Sequence, residues 1–358
     1  MSGDVTDFEV VLGNSNKRFS GVTSTMLQVL VYQQKLTSIR VLGSHHLSEG
    51  FRAISFLQLA RIARRPLSNN RPRIFHARRN DEMIQALLLK HLFRCKLKIV
   101  FTSTAQRRKT WITRWLMSNM DALISTCQAA ANYMQCPPDI IIPHGINTDI
   151  YKPNQSEPIL ALDRTLKLIG IFGRVRSQKG VDLLVAAAIS ILPDHKEWGL
   201  LIVGEVTPEH AVFKDILYEK LSQAGLADRV SFTGEVNFEE LPKYFSKIDI
   251  AVALSRNEGF GLTVLEAMSS AKPVVVTKAG AWPDIVEHDQ EGFVIDIDDQ
   301  AALERHLLSL IYSEALRNKM GKAARAKVLA FYTVQREAEQ LVGFYKQTQN
   351  VGLIEIKR

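Results

Sequence analysis

The stretch Ser255-Arg-Asn-Glu-Gly-Phe-Gly-Leu-Thr-Val-Leu-Glu-Ala-Met268 predicts the local fold around which the rest of the chain is organised. It follows an apolar run, residues 248–254, that is typical of a buried strand. Its two glycines allow a sharp turn, and a helix is predicted over residues 262–271, where Lys272-Pro273 ends it. A strand, a glycine turn and a helix N-terminus present unpaired amide groups, so we predict an anion site here, for example for a phosphate.

Two glutamates bracket this predicted site. Glu258 lies in the turn and Glu266 lies eight positions further on, in the helix. A wholly helical path between them would span roughly 12 Å at about 1.5 Å per residue. One carboxylate can then accept hydrogen bonds from hydroxyls on one side of a diphosphate, and the other from hydroxyls beyond it, as a nucleotide-sugar would require. The alternative is a buried strand–helix turn whose glutamates cap amides or form salt bridges.

Length and composition indicate an ordinary globular chain with two domains. It has 358 residues, 46% hydrophobic and 23% charged, and no apolar run approaches the roughly 18–20 residues that span a bilayer. The first residues lack the basic and apolar regions of a secretory signal. Three scattered cysteines do not make a disulfide framework or a metal site. We therefore expect a cytoplasmic protein with reduced thiols.

Charge is unevenly distributed along the chain. Residues 1–158 hold 21 Lys and Arg against 10 Asp and Glu, whereas residues 159–358 hold 24 against 27. A basic first half suits an acidic lipid surface, an anionic acceptor or nucleic acid. A basic surface that is merely solvated is the alternative.

Strand and helix patterns alternate throughout and predict two doubly wound α/β domains with parallel sheets. The first domain is predicted over residues 1–158 and the second over 159–334, with residues 154–158 as the linker. The first helix is predicted to begin with residues 21–30, with Ser20 as its cap, and further helices are predicted around residues 51–63 and 81–94. The predicted strands cover residues 8–12, 39–42, 73–76, 97–102, 121–125, 140–142, 166–172, 199–203, 230–233, 248–254, 273–277 and 292–295.

Candidate binding residues of the first half follow predicted strands, where ligands of such sheets bind. Gly21 can admit a phosphate or sugar against the backbone, or it is simply a turn glycine. The other candidates are His76, Arg78, Arg79, Ser103, Thr104, Arg107 and Arg108.

A basic segment with tryptophans follows the fourth of these strands. Trp111 and Trp115 are interleaved with arginines and a lysine on a predicted helix. Such a helix can lie on an anionic membrane surface. Alternatively, the tryptophans pack inward. No stacking pattern of a known RNA-binding module is present, so we expect no nucleic-acid partner.

The loop Gly173-Arg-Val-Arg-Ser-Gln-Lys-Gly180 follows the first strand of the second domain and precedes a helix predicted over residues 181–191. Arg174 and Lys179 are two cations beside a helix N-terminus, which makes a diphosphate clamp possible. Together with Glu258 and Glu266, this loop is a specific signal of a diphosphate-binding site.

These motifs resemble the retaining glycosyltransferases of family 4, which have the two-domain GT-B fold. The resemblance covers most of residues 140–335. It implies two Rossmann-like domains facing across a cleft, with a C-terminal helix of about residues 335–358 returning to the first domain. Asp284 departs from the glutamate that is usual in this family. The motifs that carry the resemblance are residues 143–153, Gly173-Arg174, Lys179-Gly180, the pair Glu258 and Glu266, and Ala279-Gly-Ala-Trp-Pro-Asp284.

The resemblance implies a role for each matching residue. Arg174 and Lys179 would hold the donor diphosphate, Glu258 would contact the transferred sugar and Glu266 the ribose. The implied donor-binding set is completed by Gly21, Gly173, Phe260, Gly261 and Leu262. Family members generally need no metal and no cofactor, so none is expected here. His144, in the motif that ends the first domain, is a further candidate for the acceptor side.

Residues 19–25, 75–80 and 101–108 resemble bacterial lipopolysaccharide-core mannosyltransferases. This implies mannose transfer from GDP-mannose to an inner-core acceptor, or another anionic glycolipid, by a protein peripheral to the cytoplasmic membrane. The loop after residue 102 lacks the histidine that many family members carry, so Ser103 or Thr104 is expected in its place. The alternatives are a UDP-hexose donor with a glycolipid or exopolysaccharide acceptor, a GT-B-like epimerase or phosphorylase, and a non-catalytic protein that binds anionic surfaces.

Overall fold

Two compact α/β units make up the chain. The computed structural model describes residues 7–17, 21–153 and 166–350. One unit comprises Met1–Gly145 and Val334–Arg358, and the other comprises Ile146–Thr333. The first unit thus ends earlier than the predicted boundary at residue 158. The predicted linker, residues 154–158, and the predicted cap Ser20 lie outside the described residues.

The first unit contains a parallel sheet. Its strands are β1 (Val10–Gly13), β2 (Ile39–Leu42), β3 (Ala53–Ile54), β4 (Arg73–Ala77), β5 (Leu97–Ser103), β6 (Ala122–Ser125) and β7 (Ile140–Ile141). Their order across the sheet is β3-β2-β1-β4-β5-β6-β7, and each neighbouring pair is parallel. β1 and β4 are buried at every position, as expected of parallel strands covered on both faces.

Helices cover this sheet, and two of them differ from the sequence prediction. They are α1 (Gly21–Leu36), α2 (Phe56–Ile62), α3 (Asn80–Leu87), α4 (Trp111–Ser118) and α5 (Gln128–Ala131). A single helix was expected around residues 51–63, but a capping box between Ser55 and Gln58 begins α2 only at Phe56. The helix expected over residues 81–94 instead changes to π geometry at Leu88–Leu92.

The second unit has its own parallel sheet. They are β8 (Lys167–Phe172), β9 (Trp198–Val203), β10 (Val230–Phe232), β11 (Ile250–Ala253), β12 (Val274–Thr277) and β13 (Gly292–Ile295). The order is β10-β9-β8-β11-β12-β13. The surrounding helices are α6 (Val181–Ile191), α7 (Ala211–Gln223), α8 (Leu241–Lys247), α9 (Leu262–Ser269), α10 (Trp282–Ile285), α11 (Gln300–Tyr312) and α12 (Glu314–Phe331).

The last helix, α13 (Val334–Asn350), belongs to the first unit and packs against α1. Tyr345 of α13 lies in the core of the first unit. Gln33 of α1 donates a buried hydrogen bond of 3.1 Å to the Tyr345 hydroxyl. This is the return to the first domain that the resemblance implied. Residues 351–358, which the prediction included, lie outside the described residues.

Strand order locates the candidate site of the second unit. β8 pairs directly with β11, although β9 and β10 lie between them in the chain. The chain runs outward from this pair in both directions, so it is the topological switch point, where ligands of doubly wound sheets bind beyond the carboxyl ends of strands. The basic loop of residues 173–180 leaves β8 there, and the glutamate loop of residues 254–261 leaves β11 beside it.

Candidate active site

An ion pair joins the two loops at the switch point of the second unit. Lys179 Nζ lies 2.5 Å from Glu258 Oε2, and both side chains are half-buried. The Ser255 hydroxyl donates to the same carboxylate oxygen at 3.3 Å, and the Gly259 amide donates to Oε1 at 3.1 Å. The structure therefore brings together the lysine and the glutamate that the sequence singled out, 79 residues apart.

Arg174 is more open to solvent than Lys179. Its Nε lies 3.0 Å from Glu205 Oε2, just beyond β9, and both side chains are substantially exposed. An exposed ion pair of this kind contributes little to stability. Since it costs little to break, Arg174 is available to an incoming anion. Sequence reasoning missed Glu205, because a lone glutamate after a strand carries no motif.

Gly180 allows the two loops to approach each other closely. It has φ +70°, and a Cβ built on it would stand 2.2 Å from the Leu254 carbonyl oxygen. Gly180 ends the turn Ser177–Lys179 and precedes α6. The tight approach at Gly180 thus sets the position of Lys179 against the glutamate loop.

Arg256 is a second cross-link between the loops that sequence reasoning missed. Its guanidinium lies 2.9 Å from Asp182 in the first turn of α6 and 2.7 Å from Asp298 beyond β13. It also donates to Ser177. Hydrogen bonds to Asp182 and Asp298 raise the pKa of Arg256, so the pairing favours its charged form. The partners are far apart in the sequence, and only the fold reveals them.

The turn after Glu258 is fixed by a buried tryptophan. Trp282 donates its indole N–H to the Gly261 carbonyl at 2.9 Å. Gly261 precedes α9, which begins at Leu262, and Phe260 is buried. Gly173 lies at the end of β8, next to Arg174. The predicted donor-binding residues Gly173, Phe260 and Gly261 therefore lie in the two loops of the switch point. Leu262 is the first residue of α9, and Glu266 lies one turn into this helix.

Glu266 lies in an environment unlike that of Glu258. It is only 6% exposed, and burial raises its pKa to about 7. The Tyr151 hydroxyl lies beside its carboxylate, and burial and this carboxylate together raise the pKa of Tyr151. The hydroxyl is close enough to lower the pKa of Glu266, although the two groups do not form a hydrogen bond of regular geometry. Tyr151 therefore adjoins the second glutamate, a contact that its position in the sequence did not indicate.

In the first unit His76 belongs to an internal polar network. It is 1% exposed, with Nδ1 2.6 Å from the Tyr345 hydroxyl and Nε2 2.7 Å from Thr102 Oγ1. Arg78 also approaches Nδ1, at 3.3 Å, so Nδ1 accepts and Nε2–H donates to Thr102. Burial, followed by the charge of Arg78, holds the pKa of His76 well below its usual value. The geometry supports a structural role for this neutral histidine.

The other candidates of the first unit differ in exposure. Ser103 is buried at the end of β5, and its hydroxyl has no hydrogen-bond partner among the described residues. Thr104 is half-buried and Arg107 is exposed. Gly21 is exposed at the start of α1, and a Cβ there would meet open space. The open space around Gly21 can hold a ligand, and the packing does not require glycine at this position.

His144 connects the end of the first segment of this unit to α13. Its Nδ1 lies 2.9 Å from Glu337 Oε1, and the Gly145 amide donates to Oε2 of the same carboxylate at 2.7 Å. Glu337 is buried. This arrangement supports a structural role for His144 in holding the last helix.

The described part of the chain has neither a metal-binding cluster nor a helix that could span a membrane. In residues 7–17, 21–153 and 166–350, no three His, Cys, Asp or Glu side chains are grouped so that they would hold a metal ion. Within the same ranges, every helix falls short of the length and apolar character needed to span a bilayer.

Comparison with known proteins gives the chain its family. Residues 154–327 match the family Glycosyl transferases group 1. The lipopolysaccharide core biosynthesis mannosyltransferase LpcC of Rhizobium leguminosarum bv. viciae is 40% identical over 96% of this chain and 97% of its own length. LpsB of Rhizobium meliloti, which carries the same description, is 38% identical over 96% and 98%.

A solved structure gives the same fold. HepE of Anabaena, in complex with UDP, has a TM-score of 0.78 at 16% identity, over 95% of this chain and all of that one. Two doubly wound parallel-sheet units with this likeness define the GT-B class of glycosyltransferases, as predicted. The chain belongs to the group 1 glycosyltransferase family and is an enzyme.

The Gly180→Ala variant tests the close approach of the loops. We expect it to lower the free energy of unfolding by about 2 kcal/mol more than Gly225→Ala does, measured by urea denaturation. Gly225 is a matched control, because it has the same φ of +70° but nothing within 4 Å of a built Cβ. Both variants share the backbone strain. Equal losses would contradict the contact with Leu254.

The Glu266→Gln variant tests the buried carboxyl. The pKa of Glu266 in the folded state is about 7, above the usual value of 4.5. Between pH 4.5 and pH 7 the folded state therefore keeps a proton that the unfolded state has released. The free energy of unfolding therefore falls as pH rises through this range, and Gln removes this decline, on the order of 2 kcal/mol. Urea titrations at several pH values measure it.

Tyr151→Phe is the companion variant. Tyr151 lowers the pKa of Glu266, so its removal should keep the decline and move it to higher pH. If the free energy of unfolding of Glu266→Gln depended on pH as that of the wild type does, the assignment of the decline to Glu266 would be contradicted.

Proposed function

We propose that this glycosyltransferase moves mannose from GDP-mannose onto a lipopolysaccharide inner-core acceptor, with retention of the anomeric configuration, at the inner face of the cytoplasmic membrane. Two relatives described as lipopolysaccharide core biosynthesis mannosyltransferases support the sugar and the acceptor, since both are similar along nearly the whole chain. No metal or cofactor takes part in the proposed reaction.

The observation that carries the proposal is the meeting of Lys179 and Glu258 at the switch point. A cation that can bind phosphate and a carboxylate that can accept hydrogen bonds from hydroxyls lie side by side there. A nucleotide-sugar presents both groups in succession, a diphosphate and a sugar. The pair is therefore suited to the bond between them, which is the bond that the transfer breaks.

Donor binding has an energetic consequence for this pair. Before the donor binds, the positive charge of Lys179 is balanced by the carboxylate of Glu258. A diphosphate placed at the loop would share the ammonium group with the carboxylate, and Arg174 would turn from the exposed Glu205 to the same phosphates. Glu258 then has lone pairs for the sugar hydroxyls. Glu266, one turn into α9, would accept hydrogen bonds from the ribose.

In the proposed transfer, the bond between the sugar C1 and the phosphate oxygen breaks and a bond from C1 to the acceptor oxygen forms on the same face. The acceptor hydroxyl proton goes to the departing diphosphate oxygen. Lys179 and Arg174 offset the negative charge that develops on the leaving GDP, a form of electrostatic stabilisation. No side chain needs to form a covalent intermediate.

The first unit supplies the acceptor contacts in this proposal. Exposed Arg107 and half-buried Thr104 follow β5 at the carboxyl edge of its sheet, and the buried Ser103 hydroxyl has no partner among the described residues. Their chemistry fits an acceptor that carries acidic sugars or phosphate. His76 and His144 are engaged in internal bonds, so we do not assign them to the acceptor.

Calorimetric titration with GDP, GDP-mannose, UDP, UDP-glucose and ADP tests the donor. We expect GDP and GDP-mannose to bind at least tenfold more tightly than the other ligands. Lys179→Ala should weaken GDP binding by about tenfold or more, because it removes a charge-assisted contact. Lys319→Ala is the control, an exposed lysine of α12.

The outcomes separate the parts of the proposal. Selective UDP binding would overturn the donor, and binding of no nucleotide would overturn the site. Unchanged GDP affinity in Lys179→Ala would remove the phosphate role of this residue. Glu258→Ala should still bind GDP but lose transfer, and full transfer activity in this variant would overturn the role of Glu258.

A further inference from the structure

Two of the four tryptophans of the chain lie on the surface of the first unit. Trp111 and Trp115, both on α4, are 71% and 58% exposed, whereas Trp198 and Trp282 are buried. The alternative that the α4 tryptophans pack inward is therefore wrong. Ile112 beside them is also exposed. The buried side of α4 is formed by residues further along the helix, such as Leu116.

The helix that packs against α4 also carries exposed apolar residues. Asn80 at the start of α3 donates a hydrogen bond of 2.8 Å to Thr113 of α4. Ile84, Leu88 and Leu92 follow on α3 and its π-helical extension at intervals of four residues, and all three are exposed. We call these three residues, with Trp111, Ile112 and Trp115, the α3–α4 surface. An exposed apolar surface of this kind is typical of a site that meets a membrane or a partner.

The charge around the α3–α4 surface is mainly positive, although Asp139 also lies beside the tryptophans. Between Glu82 and Asp121 the sequence contains no Asp or Glu and eight Lys and Arg residues. Asp121 itself is paired with Lys90 at 2.7 Å and Lys98 at 3.6 Å. Exposed cations that accompany the tryptophans are Arg107, Arg108 and Arg114. The charge complement of this surface is therefore anionic.

Two open cavities flank Arg114. One, of about 670 Å³, is lined by Trp111, Trp115 and Pro137 among others, and the second, of about 620 Å³, by Arg108 and other residues. Arg114 lines both. The first cavity also contains Asp121 and Asp139, whereas the second is lined by Lys109 as a further cation. Tryptophan rings next to a cationic hollow suit a lipid, which has a fatty chain next to an anionic headgroup.

We propose that the α3–α4 surface docks the enzyme on an anionic lipid bilayer. Tryptophan favours the membrane–water interface because its ring is apolar and its indole N–H is polar. Basic residues near a surface of acidic lipid add electrostatic attraction. A protein partner would also cover apolar residues, but it would not explain the predominantly basic surroundings as simply as acidic headgroups do. This inference does not depend on the sugar or on the nucleotide.

Vesicle titration of the full-length protein tests the docking. Vesicles of phosphatidylethanolamine and phosphatidylglycerol that contain brominated chains should quench the tryptophan fluorescence, because Trp111 and Trp115 are the exposed tryptophans. Binding to pure phosphatidylcholine vesicles should be at least tenfold weaker, and added salt should weaken the binding to acidic vesicles. In Trp111→Ser/Trp115→Ser the remaining Trp198 and Trp282 are buried and should not be quenched.

Vesicle co-sedimentation measures binding without relying on fluorescence. Trp111→Ser/Trp115→Ser should lose at least tenfold in vesicle affinity. The matched control is Val212→Ser/Ile216→Ser, which removes two exposed apolar side chains at the same four-residue interval on α7 of the second unit. Circular dichroism shows whether each variant is folded. Because all four residues are exposed, we expect all variants to fold.

Charge is tested separately. Arg108→Gln/Arg114→Gln should reduce binding to acidic vesicles about tenfold, whereas the exposed pair Lys319→Gln/Lys322→Gln of α12 should leave it unchanged. Equal vesicle binding by the wild type and the tryptophan variant would overturn the proposal. The absence of quenching at every lipid concentration would also overturn it. Binding to RNA without binding to vesicles would do the same.

Discussion

The ion pair between Lys179 and Glu258 depends on the order of strands in the second sheet. The two residues are 79 positions apart, yet they meet because β8 and β11 are neighbours and their loops leave the same edge. Gly180 lets the loops come close enough for the contact, and Arg256 holds them together through Asp182 and Asp298. The functional loops are thus cross-linked by charge, in addition to the apolar core below them.

The two glutamates show how one short motif produces two different carboxyl groups. Glu258 lies in the loop, half-buried and paired with a cation, whereas Glu266 is buried inside α9 beside Tyr151. A loop carboxylate next to a cation can accept hydrogen bonds from a ligand at once. A buried carboxyl whose pKa is raised to about 7 is partly protonated near neutral pH, so its capacity to accept hydrogen bonds changes with pH in this range.

Much of the architecture followed from the sequence because the signals were local. Buried parallel strands such as β4 are short apolar runs, and the glycine turn before α9 stands in the quoted stretch. The loops of Lys179 and Glu258 were identified for the same reason. The capping box at Ser55 was equally local but was overlooked, and the helix predicted over residues 51–63 was wrong there.

The contacts that the sequence did not reveal are those between distant positions. Arg256 is next to the motif, but Asp182 and Asp298 reach it only in the folded sheet. His76 ends a strand, where a ligand contact was expected, and the return of α13 brings Tyr345 onto its ring instead. The exposure of Trp111 and Trp115 also depended on the packing of α4, since the pattern of residues fitted either face.

Transfer of mannose can be measured by incubating the enzyme with labelled GDP-mannose and lipopolysaccharide that lacks its core mannose. Nuclear magnetic resonance of the product reports the linkage. We expect label in the lipopolysaccharide, with the same anomeric configuration as the donor. Transfer with the opposite configuration, or transfer only from a UDP-sugar, would contradict the proposal.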